Sequence, residues 1–400
     1  MRLKRIQIII LIGILLITFV VTFNKPKEQI ITKEFYNKFY DQQPTWSINQ
    51  FPDSSKSYSG GDFAWGWSYV GNSLIDMYKA TGDKKYLEIF VNQVEYIFTQ
   101  TDEKLGLESF SGSGLSLPAW SDRGRYTSGE FNYIYPVHTG MITVPILRFV
   151  DEVKSNKLEE YTGIAESFLE NAGKALVIHN QDNMWVDFSE TEGFYIGHSY
   201  GVGIVSEAGK IGVPNRISIY LAAAGLYDKL TGGSIYTNRI EKSLNYFKFS
   251  LMKYDEEYDS YYWNYWEQDI LGKPWEDISH ATVTAYGLFI LHEEAGFSIF
   301  SNEDFEKIAN NVYKVIENEN GLIKTRKYIH GRDEEKKVYY LPGENKYYYD
   351  ILRWSFLGLY DEGILTEIEN MIENINIEEM NPQTRLASIA AYLYAKNAKE

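Results

Sequence analysis

Ile217-Ser-Ile-Tyr-Leu-Ala-Ala-Ala-Gly-Leu-Tyr227 is apolar on most sides when wound as a helix. Pro214-Asn215 opens that helix and Thr231-Gly232-Gly233 ends it. Glycine suits the left-handed position just past a helix C-terminus. A second helix, Ile240 to Leu251, then returns. A helix that is apolar nearly all round must be enclosed by other protein, whereas one with a single polar face lies at the outside. The stretch Glu303 to Glu317 is of the second kind. The chain thus carries two sorts of helix, one fit for an inner layer and one for an outer layer.

The same pair recurs along the body. Trp67, His138, Asn215, His280 and Asp350 mark successive inner-helix openings, 71, 77, 65 and 70 residues apart. Gly82, Gly232, Gly296 and Gly363 close four of these helices, and an amphipathic helix follows each opening unit. Repetition at this period signals stacked units that bury a face against their neighbours. Arg385 opens a last helix only 35 residues after Asp350 and has no partner behind it. The Glu34–Tyr40 region is its natural partner, so six hairpins would close on themselves. The expected fold is all-α, a closed ring over residues 29–400, because an open solenoid has no reason to leave an orphan helix.

Arg2, Lys4 and Arg5 precede Ile8–Phe23, a run that is apolar except for Gly13, Thr18 and Thr22. A basic flank before an apolar run reads as a signal peptide or signal anchor. No small-x-small cleavage site follows, so residues 1–28 are expected to remain as a transmembrane anchor. The basic flank stays inside and the body faces outward; cleavage would instead leave the body secreted. The net charge of −16 argues against a nucleic-acid partner, which would need a basic face. There is no cysteine, no H-E-x-x-H, no EF-hand loop and no phosphate-binding loop, so neither metal nor cofactor is expected. The 33 Tyr and 9 Trp exceed what a core calls for and suit half-wet clefts.

In a ring, every inner helix starts at the same end, so the openings converge on one mouth. They carry Asp62, Trp65 and Trp67; Glu130, Tyr135 and His138; Asn215 and Arg216; Trp275, Glu276, Asp277 and His280; Asp350; and Thr384 with Arg385. Capping alone would ask only for Ser, Thr, Asp or Asn. Asp277 is expected as an N-cap whose carboxylate fixes the tautomer of His280, three residues on. Trp65, Trp67, Trp263, Trp266 and Trp275 are expected to stack on flat apolar sugar faces, alongside Glu276 and Asp350. Arg125, Lys273 and Arg326 are among the basic residues near these openings. His198 sits in Gly193-Phe-Tyr-Ile-Gly-His-Ser-Tyr200, read as a long mouth loop.

The hairpin repeat, with Glu276-Asp-Ile-Ser-His280, Tyr135-Pro-Val-His-Thr-Gly140 and Gly225-Leu-Tyr-Asp228, resembles the six-hairpin, (α/α)6-toroid carbohydrate-active enzymes over roughly residues 30–400. That group holds polysaccharide lyases, glucuronyl C5-epimerases and glycoside hydrolases. The resemblance implies a Tyr or His base, an Asn or Arg that neutralises a substrate carboxylate, and an assisting His. His138, Asn215, Arg216, His280 and Tyr135 match those residue types. The β-rich part that precedes the helices of the epimerases is missing.

Three functions follow. The leading expectation is an extracytoplasmic lyase or epimerase on a uronate-containing polysaccharide. There His280, His138 or Tyr135 abstracts the C5 proton, and Asn215 with Arg216 stabilises the enolate. The second is a glycoside hydrolase using paired carboxyls drawn from Glu130, Asp277, Asp350 and Asp62. The third is an envelope protein that binds glycan without turnover. Oligomeric state is left open.

Overall fold

The computed structural model describes residues 31–42, 58–126, 129–197, 209–265, 275–319, 322–330, 339–341 and 346–399. The expected anchor at 1–28 lies outside the described residues, as do His198, Trp266 and Lys273. Among the described residues, no helix is long and apolar enough to cross a membrane.

Six elements form the inner layer. They are Ser68–Thr81, Pro136–Ser155, Pro214–Thr231, Ile278–Phe289 with its π turn to Glu294, Lys346–Leu359, and Pro382–Asn397. Each packs against the next, and the sixth packs against the first, so the ring closes. The third, which contains the 217–227 stretch, is buried over most of its length. Glycines on both neighbours let it approach. A Cβ at Gly140 would lie 2.6 Å from the Tyr220 nitrogen, and one at Gly287 would lie 2.7 Å from the Ser218 carbonyl carbon.

The outer layer holds Lys85–Thr99, Thr162–Leu176, Thr237–Tyr246, Asn302–Ala309 with Asn311–Val315, and Gly363–Glu373. The orphan sixth inner helix finds its partner in Lys33–Asp41, as expected: the two pack together, and Arg385 lies 4.1 Å over the Phe39 ring. The fourth outer helix is capped by Ser301 in a reciprocal box with Asp304. The first inner helix begins earlier than Trp67, through Gly60–Asp62 and a π turn over Phe63–Trp67.

Two features depart from a uniform all-α ring. Nine short strands pair into four small antiparallel sheets among the described residues. They sit in the connections that lead from an outer helix to the next inner one, so they build up the mouth. The fifth inner element, opened where Asp350 was expected to open an α-helix, is a 3-10 helix along all 14 of its residues.

At the far end of the ring the inner helices meet in a buried ionic cluster. Arg148 donates to Asp76 at 2.7 Å and to Glu294 at 2.8 and 2.9 Å, with Asn72 and Tyr286 as further partners. Burial would raise the Glu294 carboxyl, but Arg148 and Lys79 hold it down at about 2.

Candidate active site

The helix starts converge on a cleft of about 270 Å³. The first inner helix and its π turn contribute Trp65 and Tyr69, and the connection before the second contributes Arg125 and Tyr126. Ser279 and His280 come from the fourth. Tyr347, Asp350 and Arg353 come from the fifth, and Asn381 and Thr384 from the sixth.

Asp277 is the N-cap of the fourth inner helix. Its Oδ1 accepts from the Ser279 and His280 amides at 3.0 and 3.1 Å, and from the Ser279 hydroxyl at 2.7 Å. Its Oδ2 lies 2.7 Å from His280 Nδ1. One carboxylate thus satisfies the helix end and fixes the imidazole, leaving Nε2 for the cleft. Burial would raise this carboxyl, but His280 and Ser279 outweigh it and hold it at about 2.

Glu276, the residue before, is the opposite case. It is fully buried, and among the described residues neither carboxyl oxygen has a hydrogen-bond partner. Burial drives its pKa well above the usual carboxylate range and the Asp277 charge adds to this; Arg216 opposes both. The two consecutive carboxyls are thus pushed in opposite directions, Glu276 up by burial and Asp277 down by His280 and Ser279.

Behind the cleft wall lies a second layer. The Arg216 guanidinium stands 4.1 Å over the Tyr126 ring and donates to the Tyr265 hydroxyl at 3.2 Å. Tyr265 in turn packs edge-on to His280 at 4.8 Å. Tyr126 has φ +55°, a region costly for a bulky aromatic residue. The Tyr135 hydroxyl donates to the carbonyl of Arg125 and so pins the same turn. Strain held by packing on both sides is a hallmark of positioned sites.

Several expected site residues take other places. His138 is fully buried between Trp65, Tyr126 and Tyr135, and burial with Arg125 and Arg216 pushes its pKa well down. It is a neutral ring behind the wall instead of a base facing substrate. Burial pushes the Tyr135 hydroxyl up, against Arg216, so it is a poor base. Asn215 is buried with no hydrogen-bond partner on its amide. Glu130 is exposed on a hairpin, 3.6 Å from Arg123, and does not line the cleft. Trp67 and Trp263 are core residues: Trp67 donates to Gln93 at 2.9 Å, and Trp263 packs on Phe247. Trp275 stacks on His330 at 4.0 Å, off the cleft. Of the expected tryptophans, Trp65 lines the cleft.

Sequence reasoning missed Tyr69, Tyr126, Tyr347, Arg353 and Asn381. For Asn381 a signal existed: Asn381-Pro382 is a cap followed by proline at the first helical position. For Tyr347 and Arg353 the signal was their spacing of three from Asp350, which a 3-10 helix sets in one straight column. Among the described residues, no group of three or more His, Asp or Glu could hold a metal ion.

Neither a family model nor a curated protein matches the sequence. Solved structures do match the fold. A GH76 α-mannanase of Bacteroides thetaiotaomicron aligns over 91% of this chain and 96% of its own, with TM-score 0.50 at 11% identity. A GH76A α-1,6-mannanase of Salegentibacter sp. HEL1_6 covers 92% and 99%, with TM-score 0.47 at 14% identity. The likeness to the first is one of fold, a ring of six helical hairpins.

Proposed function

We propose that this chain is a glycoside hydrolase that cleaves a neutral glycan with carboxyl groups at the mouth of the ring. The observation that carries the reading is that Asp350 and His280, the latter held by Asp277, line one cleft. Glycosidic hydrolysis needs a proton donor and a carboxylate that attacks or activates water. In this reading Asp350 is the carboxylate that faces the sugar, and His280, oriented by Asp277, stands at the cleft to give the proton, while Glu276 is shut behind the wall. Trp65 supplies an aromatic face for the ring of the sugar.

Charge matching favours a neutral substrate. Arg353 already faces Asp350 at 3.7 Å, and Arg125 faces Asp122 at 3.0 Å and Asp62 at 4.0 Å. A substrate carboxylate would have to displace one of these acids. The α-mannanase that shares the ring makes α-mannan the first glycan to test. The apolar run before the body supports a place outside the cytoplasmic membrane, with the segment as anchor.

The test incubates the full chain, in mild detergent, with α-mannan and with other neutral and uronate polysaccharides. New reducing ends without an ultraviolet-absorbing unsaturated sugar are expected, and Asp350→Asn should abolish them. A second reading, C5-proton abstraction on a uronate glycan, is favoured by the His280–Asp277 pair on the cleft wall. Unsaturated product from a uronate polysaccharide would establish it in place of hydrolysis. Binding with no turnover on any glycan would leave a glycan-binding protein.

A further inference from the structure

The fifth inner element is wound differently from the other five. Lys346–Leu359 is a 3-10 helix for 14 residues, whereas such runs seldom exceed a turn or so, about 3–4 residues. Three residues per turn put positions i, i+3 and i+6 in one straight column. Tyr347, Asp350 and Arg353 have this spacing, and all three line the cleft. The column continues to Phe356, which packs on Tyr286 of the neighbouring fourth inner helix. An α-helix would swing Arg353 roughly 120° from Tyr347 and bring the positions four residues on, Ile351 and Leu357, toward their faces. Both are fully buried in the core.

The column is also braced from outside. Trp354 donates to the Thr282 hydroxyl of the fourth inner helix at 2.7 Å. The Arg353 guanidinium lies 4.2 Å over the Tyr69 ring of the first. Arg353 further lines a narrower cavity beneath the cleft, shared with Tyr69, Asn72 and Tyr286, so it forms the floor between the two spaces.

We propose that this 3-10 winding makes the specificity wall of the cleft, with Tyr347 and Arg353 as its specificity-determining residues on either side of Asp350. Tyr347, 39% exposed, covers the apolar face of the bound sugar. Arg353 donates to sugar hydroxyls while its stacking on Tyr69 keeps the fork in one plane. Asp350 lies one turn above it and compensates its charge, so the wall selects a neutral sugar with adjacent hydroxyls over a uronate. The choice of sugar rests on the hydrolase reading; the winding and the wall do not.

The chain has no cysteine, so single cysteines report on the wall cleanly. Tyr347→Cys, Arg353→Cys, Ile351→Cys and Leu357→Cys would be made in the full chain and treated with a small thiol reagent under native conditions. Labelling is expected at 347 and 353, slowed by a neutral α-linked manno-oligosaccharide, with 351 and 357 protected throughout. Circular dichroism and melting identify any variant that has unfolded. Equal labelling at 351 or 357 in a folded variant overturns the 3-10 wall. Kinetics supply the second measurement: Arg353→Met should raise KM by ~10-fold or more, the size of lost hydrogen bonds from a charged donor, with a smaller loss of kcat. Arg353→Lys should recover part of it. An oligogalacturonate that protects 347 and 353 better than the neutral sugar overturns the selection of a neutral ligand. Protection by the neutral sugar without any hydrolysis keeps the wall and removes the hydrolase reading.

Discussion

Arg148 and Glu294 are joined by two hydrogen bonds across the axis of the ring, Nε to Oε2 at 2.8 Å and Nη2 to Oε1 at 2.9 Å. The second inner helix supplies the arginine and the π turn of the fourth supplies the acid, so the pair ties together elements that are not neighbours in the ring. Asp76 of the first helix takes another of the guanidinium bonds. Replacing Arg148 by Met strips Asp76 of its ion-pair partner and leaves Glu294 with Lys79 alone, 2.8 Å away. Arg148→Met is therefore expected to cost about 3–5 kcal/mol, the usual penalty for breaking a buried ion pair from one side. Equilibrium unfolding in denaturant checks this; a loss under about 1 kcal/mol, the level of an exposed pair, would show that the cluster is not what holds the axis.

Two buried carboxyls predict opposite pH responses. Glu294 is held at about 2, below its ordinary 4.5, so its contribution is present above pH 4.5 and lost as pH falls through 2. Asp102 is pushed by burial up to about 6 from 3.8, against its bonds from Ser109 and Ser121. The folded state binds that proton more tightly, so its contribution is present below pH 3.8 and lost as pH rises through 6. Asp102→Asn should raise the melting temperature relative to the parent above pH ~6 and change it much less below pH ~4. A constant offset across that range in thermal melts would contradict the assignment.

Trp65 and Trp67 are two residues apart and should behave as different kinds of residue. Trp67→Ala empties a core site and should cost about 3–5 kcal/mol in unfolding experiments. Trp65→Ala should leave stability nearly unchanged and weaken oligosaccharide binding by up to ~10-fold, the scale of one aromatic contact. Calorimetric titration alongside melting separates the two; the reverse pattern would exchange their roles.

Asp350 and Asp277 should also separate. Asp350→Asn is expected to lower kcat by ~100-fold or more, with the fold intact. Asp277→Asn removes the anionic partner of His280 and keeps the helix cap, since Asn caps about as well as Asp. It should lower kcat with little loss of stability. Steady-state kinetics on the glycan that is hydrolysed, together with unfolding of both variants, decides the matter. Full activity in Asp350→Asn would remove it from the chemistry.

The ring itself was legible in the chain. Its evidence was the contrast between helices apolar all round, such as 217–227, and helices with one polar face, together with the half-unit left over at Arg385. These are local, periodic properties, and burial follows from them directly. The Asp277–His280 pair was legible for the same reason, since a cap and the residue three positions on are fixed by one turn of helix. The sequence could not say which aromatic or titratable group at an opening faces the cleft. Trp65 faces it while Trp67 is core: residues two apart on a helix point to opposite sides, and only packing decides which side is the cleft. His138 and Glu276 are shut behind the wall by side chains from distant segments. Tyr347, Asp350 and Arg353 stand in one straight column because the fifth inner element takes a 3-10 winding that its local sequence does not announce. Helical period and capping are set by nearest neighbours along the chain; orientation, burial and protonation are set by contacts hundreds of residues away, and only the closed ring decides those.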